Sequence, residues 1–261
     1  MNLALWSAKT GLDAQNTQMA VIANNLANAN TTGFKSDRAA FQDLLYQNVR
    51  QVGGQSTQNT QYSTGLTLGT GVSIVATEKD YTQGSVTQTN GSLDLSVSGR
   101  GFLQITMPDG TLAYTRDGSL SLDNQGNVVT ASGYPLSPAI TIPAGTQSVT
   151  IGADGSVSIV SATNKTTTIG QIQLADFINE EGLQPTGNNL LVESAASGAP
   201  QVGTPGTNGL GTLQQGTLET SNVNTVTELV NMIECQRAYE MNSKAITTVD
   251  QMLEYLTTNM Q

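Results

Sequence analysis

Apolar residues near the start of the chain repeat every seven positions, and a second set lies three positions further on. The first set is Leu5, Leu12, Met19 and Leu26, and the second is Ala8, Ile22 and Ala29. This heptad stripe, broken only at Gln15, predicts an amphipathic helix from Met1 to about Asn30. Asn28 and Asn30 provide a stop, and Gly33 is a candidate for the left-handed residue that follows a helix.

The carboxyl-terminal end carries a second heptad stripe. Its leading positions are Met232, Tyr239, Ile246, Leu253 and Met260, its companion positions are Cys235, Asn242, Val249 and Leu256, and Leu229 and Ile233 widen it. Asn224 or Thr225 offers an N-cap, and Glu228 places an acidic residue in the first turn. The pattern predicts a long amphipathic helix over 224–261.

Between the helices the period falls to two residues, which is typical of half-buried strands. The alternating segments are SLDLSV (92–97), GFLQIT (101–106), TLAYTR (111–116), SLSLD (119–123) and SVTIG (148–152), separated by turn signals such as Asp109-Gly110 and Asp154-Gly155. The sequence therefore predicts an α+β fold. Terminal helices 1–30 and 224–261 form a coiled-coil domain, 31–75 and 208–223 form an extended linker or β region, and 76–207 form a central antiparallel β domain.

The two stripes create a burial problem, because each is too narrow and too remote in sequence for the β domain to cover. An exposed Leu, Ile, Val or Met forgoes about 1.5–3 kcal/mol relative to a buried one. We therefore expect copies of the chain to bury each other's stripes in a homo-oligomer. The predicted self-assembly residues are Leu5, Leu12, Met19, Ile22, Leu26, Leu229, Met232, Tyr239, Ile246, Val249, Leu253 and Leu256.

Composition narrows the possible functions. The formal net charge is −10, which disfavours nucleic-acid binding. The absence of histidine excludes Ser-His-Asp and Cys-His catalysis and histidine metal sites, and we expect no catalytic, cofactor or metal residues. Asp117 and Asp123 are interpreted as turn residues rather than a hydrolytic pair, and Cys235 as a small buried side chain. No apolar run reaches the ~18 residues of a membrane span, so no membrane insertion is expected.

Three segments resemble the flagellar rod and hook family. They are VIANNLANANTTGFKSDRAAFQDLL (21–45), SGRGFLQI (98–105) with AYTRDGSLSLDNQGNVVTASGYPL (113–136), and GTLETSNVNTVTELVNMIECQRAYEMNSKAITTVDQMLEYL (216–256). The resemblance implies a structural subunit that polymerises helically in the periplasmic part of the basal body. Its implied partners are the proximal rod proteins, the hook protein, the P-ring and L-ring proteins and the flagellar type III export apparatus. Because the amino terminus lacks a conventional leader pattern, we expect export without a cleaved signal peptide.

The resemblance also gives a role to residues 47–71, which show no apolar periodicity. In this family the segment is expected to brace one subunit against the next and stiffen the rod, and its predicted residues are Gln51, Gly53, Gly54, Tyr62, Gly65 and Gly69. The roles of two sets of polar residues are left open. Asn24, Asn25, Asn28 and Asn30 either cap or solvate the helix end, or contact other subunits or an export channel. Arg100, Arg116, Arg237 and Glu240 are candidates for ion pairs between subunits.

The alternatives to this interpretation differ in class. Within the family, a proximal rod or hook subunit is possible. A periplasmic glycan hydrolase or carbohydrate-binding module would need clustered aromatic side chains and a carboxyl pair, yet the single tryptophan, Trp6, lies in the predicted first helix. A surface adhesin would leave the matched heptads at both ends unexplained.

Overall fold

The computed structural model describes residues 3–53, 55–57, 60–61, 63–162 and 164–259. The chain forms two compact units. One, the helix–ribbon unit, contains Met1–Leu26, Asp37–Glu78 and Asn224–Gln261, and the other, the β unit, contains Ala27–Ser36 and Lys79–Val223. The predicted α+β class is confirmed, with helices at both termini and antiparallel sheets between them. Segments 31–36 and 208–223, predicted as an extended linker or β region, lie in the β unit.

Two long helices occupy the ends of the chain, α1 at Leu3–Ala27 and α2 at Thr225–Asn259. Asn224 caps α2, because its Oδ1 accepts hydrogen bonds from the amides of Val226 at 3.1 Å and Thr227 at 3.2 Å. After α1 the chain turns, and Gly33 has a φ of +66°, the left-handed conformation that the sequence predicted. The Asn224 cap accounts for the start of α2, whereas α1 ends at Ala27, six residues before Gly33.

The remainder of the helix–ribbon unit is a two-stranded ribbon. Its strands are β1 (Asp37–Asp43), β2 (Gln47–Arg50), β3 (Gln55–Thr57), β4 (Thr60–Gln61), β5 (Leu66–Leu68) and β6 (Val72–Lys79). Strand β1 pairs with β6, β2 with β5, and β3 with β4. Between the first two pairs, the Leu44 amide donates to the Gly71 carbonyl at 2.9 Å. The described strands of the segment predicted as an extended excursion therefore pair in antiparallel fashion, beyond the pair that β1 forms with β6.

Among its described residues, the β unit contains fifteen further strands and one short 3-10 helix. The strands are β7 (Val86–Gln88), β8 (Leu95–Ser98), β9 (Phe102–Thr106), β10 (Leu112–Thr115), β11 (Leu120–Leu122), β12 (Val128–Thr130), β13 (Thr146–Ile151), β14 (Ser156–Ser161), β15 (Thr166–Gln171), β16 (Leu174–Asp176), β17 (Gln184–Gly187), β18 (Leu190–Val192), β19 (Gln201–Gly203), β20 (Thr212–Gln215) and β21 (Thr217–Glu219). The 3-10 helix spans Glu180–Gly182.

A six-stranded sheet in the order β17-β18-β10-β9-β16-β19 and a three-stranded sheet β13-β14-β15 are the largest sheets of the β unit. Strands β20 and β8, β21 and β7, and β11 and β12 form antiparallel pairs. A large aliphatic cluster, which includes Leu95, Leu103 and Leu174, makes the main core. A second cluster is aromatic, and the ring of Tyr114 meets that of Phe177 edge-on at 4.8 Å between centroids.

Three turns of the β unit repeat one structure, Asp-Gly followed by Ser or Thr. In each, the aspartate Oδ1 accepts hydrogen bonds from both the amide and the hydroxyl two residues on, at Asp109, Asp117 and Asp154. Asp123 accepts a hydrogen bond from the Asn124 amide at 2.6 Å. The interpretation of Asp117 and Asp123 as turn residues is confirmed, since their carboxylates hold local backbone.

Candidate functional site: terminal helices, ribbon and a buried ion cluster

The predicted self-assembly residues of α1 are only partly covered within one chain. Ile22 is buried, whereas Leu5, Leu12, Met19 and Leu26 are half-buried. The side chains of a satisfied helix stripe would be buried on the side that faces the core. The stripe of α1 therefore retains apolar area that a further helix could cover.

The stripe of α2 is more exposed. Leu229, Tyr239 and Leu253 are 47%, 42% and 41% exposed, and Met232, Ile246 and Val249 are half-buried. Leu256 lies in the helix, but its side chain is outside the described residues. These exposures leave the apolar face of α2 without a full covering in the single chain.

The two helices touch where Cys235 of α2 meets α1. The Cys235 thiol donates to the Gln15 carbonyl at 3.2 Å, and a Cβ built at Gly11 would lie 3.1 Å from Asn242 Nδ2. Position numbers fall along α1 as they rise along α2, so the helices run antiparallel at this contact. Burial raises the pKa of Cys235, which keeps the thiol neutral. Its predicted role as a small buried side chain is confirmed by an exposure of 5%.

The ribbon also exposes apolar side chains. Leu45 is 89% exposed, and Tyr46, Val49, Val52, Leu66 and Leu68 are exposed as well. Two-stranded ribbons are marginally stable in water without a packing partner. One support within the unit comes from α1, because the Val72 amide donates to Thr10 Oγ1 at 3.4 Å.

The residues predicted to stiffen the rod fall at several places along this ribbon. Gln51 and Gly53 are exposed near the end of β2, and Gly69 is exposed after β5. Gly65 is tightly placed, because a Cβ there would lie 2.8 Å from the Arg50 carbonyl oxygen. Gly54 and Tyr62 lie outside the described residues. Among the described glycines of this set, Gly65 is therefore the one whose lack of a side chain the hairpin requires.

One of the four asparagines at the end of α1 has a structural role that the sequence did not reveal. Asn25 is buried, its Nδ2 donates to the Asp37 carbonyl at 2.8 Å, and its Oδ1 accepts from the Asp37 amide at 2.8 Å. The amide side chain thus imitates a strand partner and fixes the start of β1 beside α1. Asn25 neither caps the helix nor faces solvent, in contrast to the predicted roles.

A buried ion cluster lies in the β unit. Lys35 Nζ is 2.6 Å from Glu219 Oε1, and Arg116 Nη1 is 3.6 Å from Glu219 Oε2. The side chains are 4%, 4% and 0% exposed for Lys35, Arg116 and Glu219. Burial lowers the pKa of Lys35, and the hydrogen bond and negative charge of Glu219 oppose that shift. Burial likewise lowers the pKa of Arg116, whose guanidinium also lies 5.2 Å from the centre of the Phe102 ring.

This cluster corrects the prediction that Arg116 pairs with another subunit, because its guanidinium is enclosed within its own chain. Arg100 is paired internally as well, at 3.0 Å from Glu180 Oε1 and 3.4 Å from Asp176 Oδ1, although its side chain is largely exposed. Arg237 and Glu240 are exposed on α2. No local sequence pattern indicated the cluster, because Lys35 and Glu219 are 184 positions apart.

Among the described residues, neither long helix combines the length and the apolar content that crossing a bilayer requires. In that same part of the chain, no three acidic, cysteine or histidine side chains lie close enough together to hold a metal ion.

Comparison with known proteins identifies the class. Residues 5–35 match the family described as flagella basal body rod protein, residues 96–159 match the flagellar hook protein FlgE/F/G D1 domain, and residues 214–260 match the flagellar basal body rod FlgEFG protein C-terminal. These ranges include parts of both terminal helices and of the β unit. They indicate a protein of the flagellar rod and hook class.

Full-length relatives narrow the class further. The flagellar basal-body rod protein FlgG of Buchnera aphidicola subsp. Schizaphis graminum is 53% identical, over 97% of this chain and 98% of the relative. FlgG of Borreliella burgdorferi is 46% identical over 97% of both chains, and FlgG of Bacillus subtilis is 41% identical over 97% of both. The chain belongs to the flagellar basal-body rod protein family, which is structural and not enzymatic, and the predicted resemblance is confirmed.

Proposed function

We propose that the chain is a structural subunit of the distal rod of the bacterial flagellar basal body, and that it polymerises helically through its terminal helices. The near full-length similarity to FlgG rod proteins carries this proposal. The alternatives of a proximal rod or hook subunit are less favoured, because these full-length relatives bear the FlgG name. The proximal rod proteins, the hook protein, the P-ring and L-ring proteins and the type III export apparatus are the proposed partners.

The physical basis for polymerisation is the exposed apolar area on α1 and α2. Leu229, Tyr239 and Leu253 keep more than two-fifths of their surface in solvent in the single chain. Packing such side chains between neighbouring helices in a coiled-coil tube gains about 1.5–3 kcal/mol for each fully buried aliphatic residue. Because every subunit repeats these contacts, small gains per residue accumulate along the polymer.

A charge placed on the stripe tests the proposal. We expect Leu253→Asp to abolish assembly of concentrated protein, as seen by electron microscopy and sedimentation, while the β unit melts as in the unaltered chain. Gln251→Asp is the matched control, because it adds the same charge to α2 two residues away, and both sites are exposed. If Leu253→Asp polymerised as readily as Gln251→Asp, this stripe would not be the interface.

The dilute monomer offers an independent check. Since α1 and α2 lack full packing in one chain, we expect rapid amide hydrogen exchange across 5–26 and 229–256 before assembly and protection afterwards. Strong protection in a monomer that never self-associates would contradict the proposed burial between subunits.

The ribbon supplies the proposed bracing contact between subunits. Its exposed apolar side chains, such as Leu45 and Val49, are suited to contact with a neighbouring chain. Deleting 47–71 should leave the β unit folded and make the polymer more bendable in electron micrographs. A sharper variant, Val49→Thr with Leu68→Thr, keeps strand propensity and removes apolar contact. An unchanged bending stiffness in both variants would exclude the bracing role.

A further inference from the structure

The buried ion cluster joins the two ends of the β unit in sequence. Lys35 belongs to the first segment of the unit, Glu219 ends its last strand, β21, and Arg116 follows β10. Among the described residues, Glu219 is the one carboxylate in ion-pair contact with Lys35 or Arg116. Asp80 near Lys35 and Asp176 and Glu180 near Arg116 act at longer range. The last strand therefore provides the counter-charge for two cations that the rest of the unit encloses.

Hydrogen bonds to backbone atoms also hold the first and last segments of the β unit together, at a contact called the junction below. The Gly33 amide donates to the Glu219 carbonyl at 2.8 Å, and the Gly84 amide donates to Glu219 Oε1 at 2.9 Å. Asn222 Oδ1 accepts from the Ser36 amide at 2.8 Å, and its Nδ2 donates to the Asp80 carbonyl at 2.8 Å. Segments 33–36 and 219–222 are thus held together by side-chain charge and by backbone hydrogen bonds.

We infer that this junction is a closing latch: the other strands of the β unit pair first, and residues 33–36 dock, with burial of Lys35, only when β21 brings Glu219 into place. Thr32 hydrogen-bonds Asp117 and Asn189, and these contacts do not depend on Glu219. A buried cation without a counter-ion is strongly unfavourable, so Lys35 must remain hydrated until Glu219 is in place. Closing a loop of 184 residues also carries an entropic cost that local strand pairs such as β9 and β10 avoid. The docking step is therefore late.

The latch has a consequence for any process that delivers the chain amino-terminus first. Residues 33–36 have to wait, with Lys35 hydrated, until residues 219–222 have also been delivered. The β unit cannot complete its fold on a partly delivered chain. This inference concerns the single chain and is independent of whether the helices later assemble.

Pulsed hydrogen exchange during refolding of the full chain tests the order of events. Peptides containing β9 and β10 should become protected first, and peptides containing Gly33 and Gly84 in a later phase. Simultaneous protection of both sets, or earlier protection of Gly33, would overturn the inference. This measurement uses the unaltered chain and therefore decides the matter even if variants of the cluster fail to fold.

A variant series gives the second arm of the test. Glu219→Gln should speed unfolding of the β unit by roughly tenfold or more and change its refolding rate by less than about twofold, as expected of a contact absent from the transition state. Glu181→Gln, at an exposed glutamate, is the matched control and should change neither rate. Adding Lys35→Met to Glu219→Gln should recover part of the loss, because it removes an unpaired cation. A Glu219→Gln chain that refolds tenfold more slowly would place the cluster in the folding nucleus and refute the latch.

Discussion

The close approach of Gly33 to another part of the β unit gives the sharpest stability prediction. A Cβ at this position would lie 2.6 Å from the Arg116 carbonyl carbon, 2.7 Å from the Asp117 amide nitrogen and 2.8 Å from the Arg116 carbonyl oxygen. All three atoms are backbone and cannot rotate away. Gly33 also has a φ of +66°, so Gly33→Ala combines conformational strain with a steric clash.

The variant Gly110→Ala separates the cost of conformational strain from the cost of the steric clash. Gly110 lies in the same unit with a φ of +81°, and a Cβ there would meet nothing within 4 Å. Gly110→Ala should therefore cost only the left-handed strain, about 1–2 kcal/mol. Gly33→Ala should cost that amount plus about 1–3 kcal/mol of overpacking, or about 2–5 kcal/mol together.

Urea denaturation and calorimetry of the full chain measure the difference. At about 2–4 °C per kcal/mol, Gly33→Ala should lower the Tm of the β unit by roughly 4–20 °C and Gly110→Ala by roughly 2–8 °C. Exchange of the amides in 31–36 should rise in the first variant and remain unchanged in the second. Equal losses of stability in the two variants would refute the packing of segment 31–36 against Arg116 and Asp117.

Three further predictions concern single elements. The pKa of Asp109 lies below its ordinary value of 3.8 because the Thr111 hydroxyl and amide donate to the carboxylate. The resulting stabilisation is complete above the ordinary pKa and is lost as pH falls through the lowered one. Asp109→Asn should therefore lose less stability than the unaltered chain in urea titrations between about pH 5 and about pH 2, and an identical loss would contradict this. Asn224→Ala should lower the helix stability of α2 by about 1 kcal/mol, seen as earlier melting of the far-UV circular dichroism signal, and Asn224→Ser should restore it. Leu103→Ala, at a fully buried position, should cost about 2–5 kcal/mol in denaturant titrations; the exposed Leu122→Ala should cost about 1 kcal/mol or less, and similar values for the two would contradict the assigned core.

The heptad stripes of α1 and α2 show how much of the structure a local sequence pattern can predict. Heptad spacing predicted both helices, and the cap of α2 was narrowed to Asn224 or Thr225 because capping involves residues close together in sequence; the structure shows Asn224. The same pattern showed that part of each apolar face would remain uncovered, but it could not show how the two helices meet. The contact between Cys235 and Gln15 depends on how the chain returns to its start.

The ribbon illustrates the opposite case. Its strands lack a clear alternation of apolar and polar residues, because neither face is buried against a core in the single chain. Without burial on one face, a strand has little periodic signal to detect. The extended character of 47–71 was predicted, whereas the pairing of β2 with β5 became visible only in the structure.

The sequence by itself determined the elements whose cause is local: two heptad helices, the alternating strands of the central region and the Asp-Gly turns that separate them. Tertiary structure alone decided the partners of Asn25, Lys35 and Arg116, and the inclusion of segment 27–36 in the β unit. The physical reason is that local conformation depends on neighbouring residues, whereas a buried charge can take its counter-ion from any distance along the chain. Lys35 and Glu219 show no mutual signal in one sequence, and folding brings them to 2.6 Å.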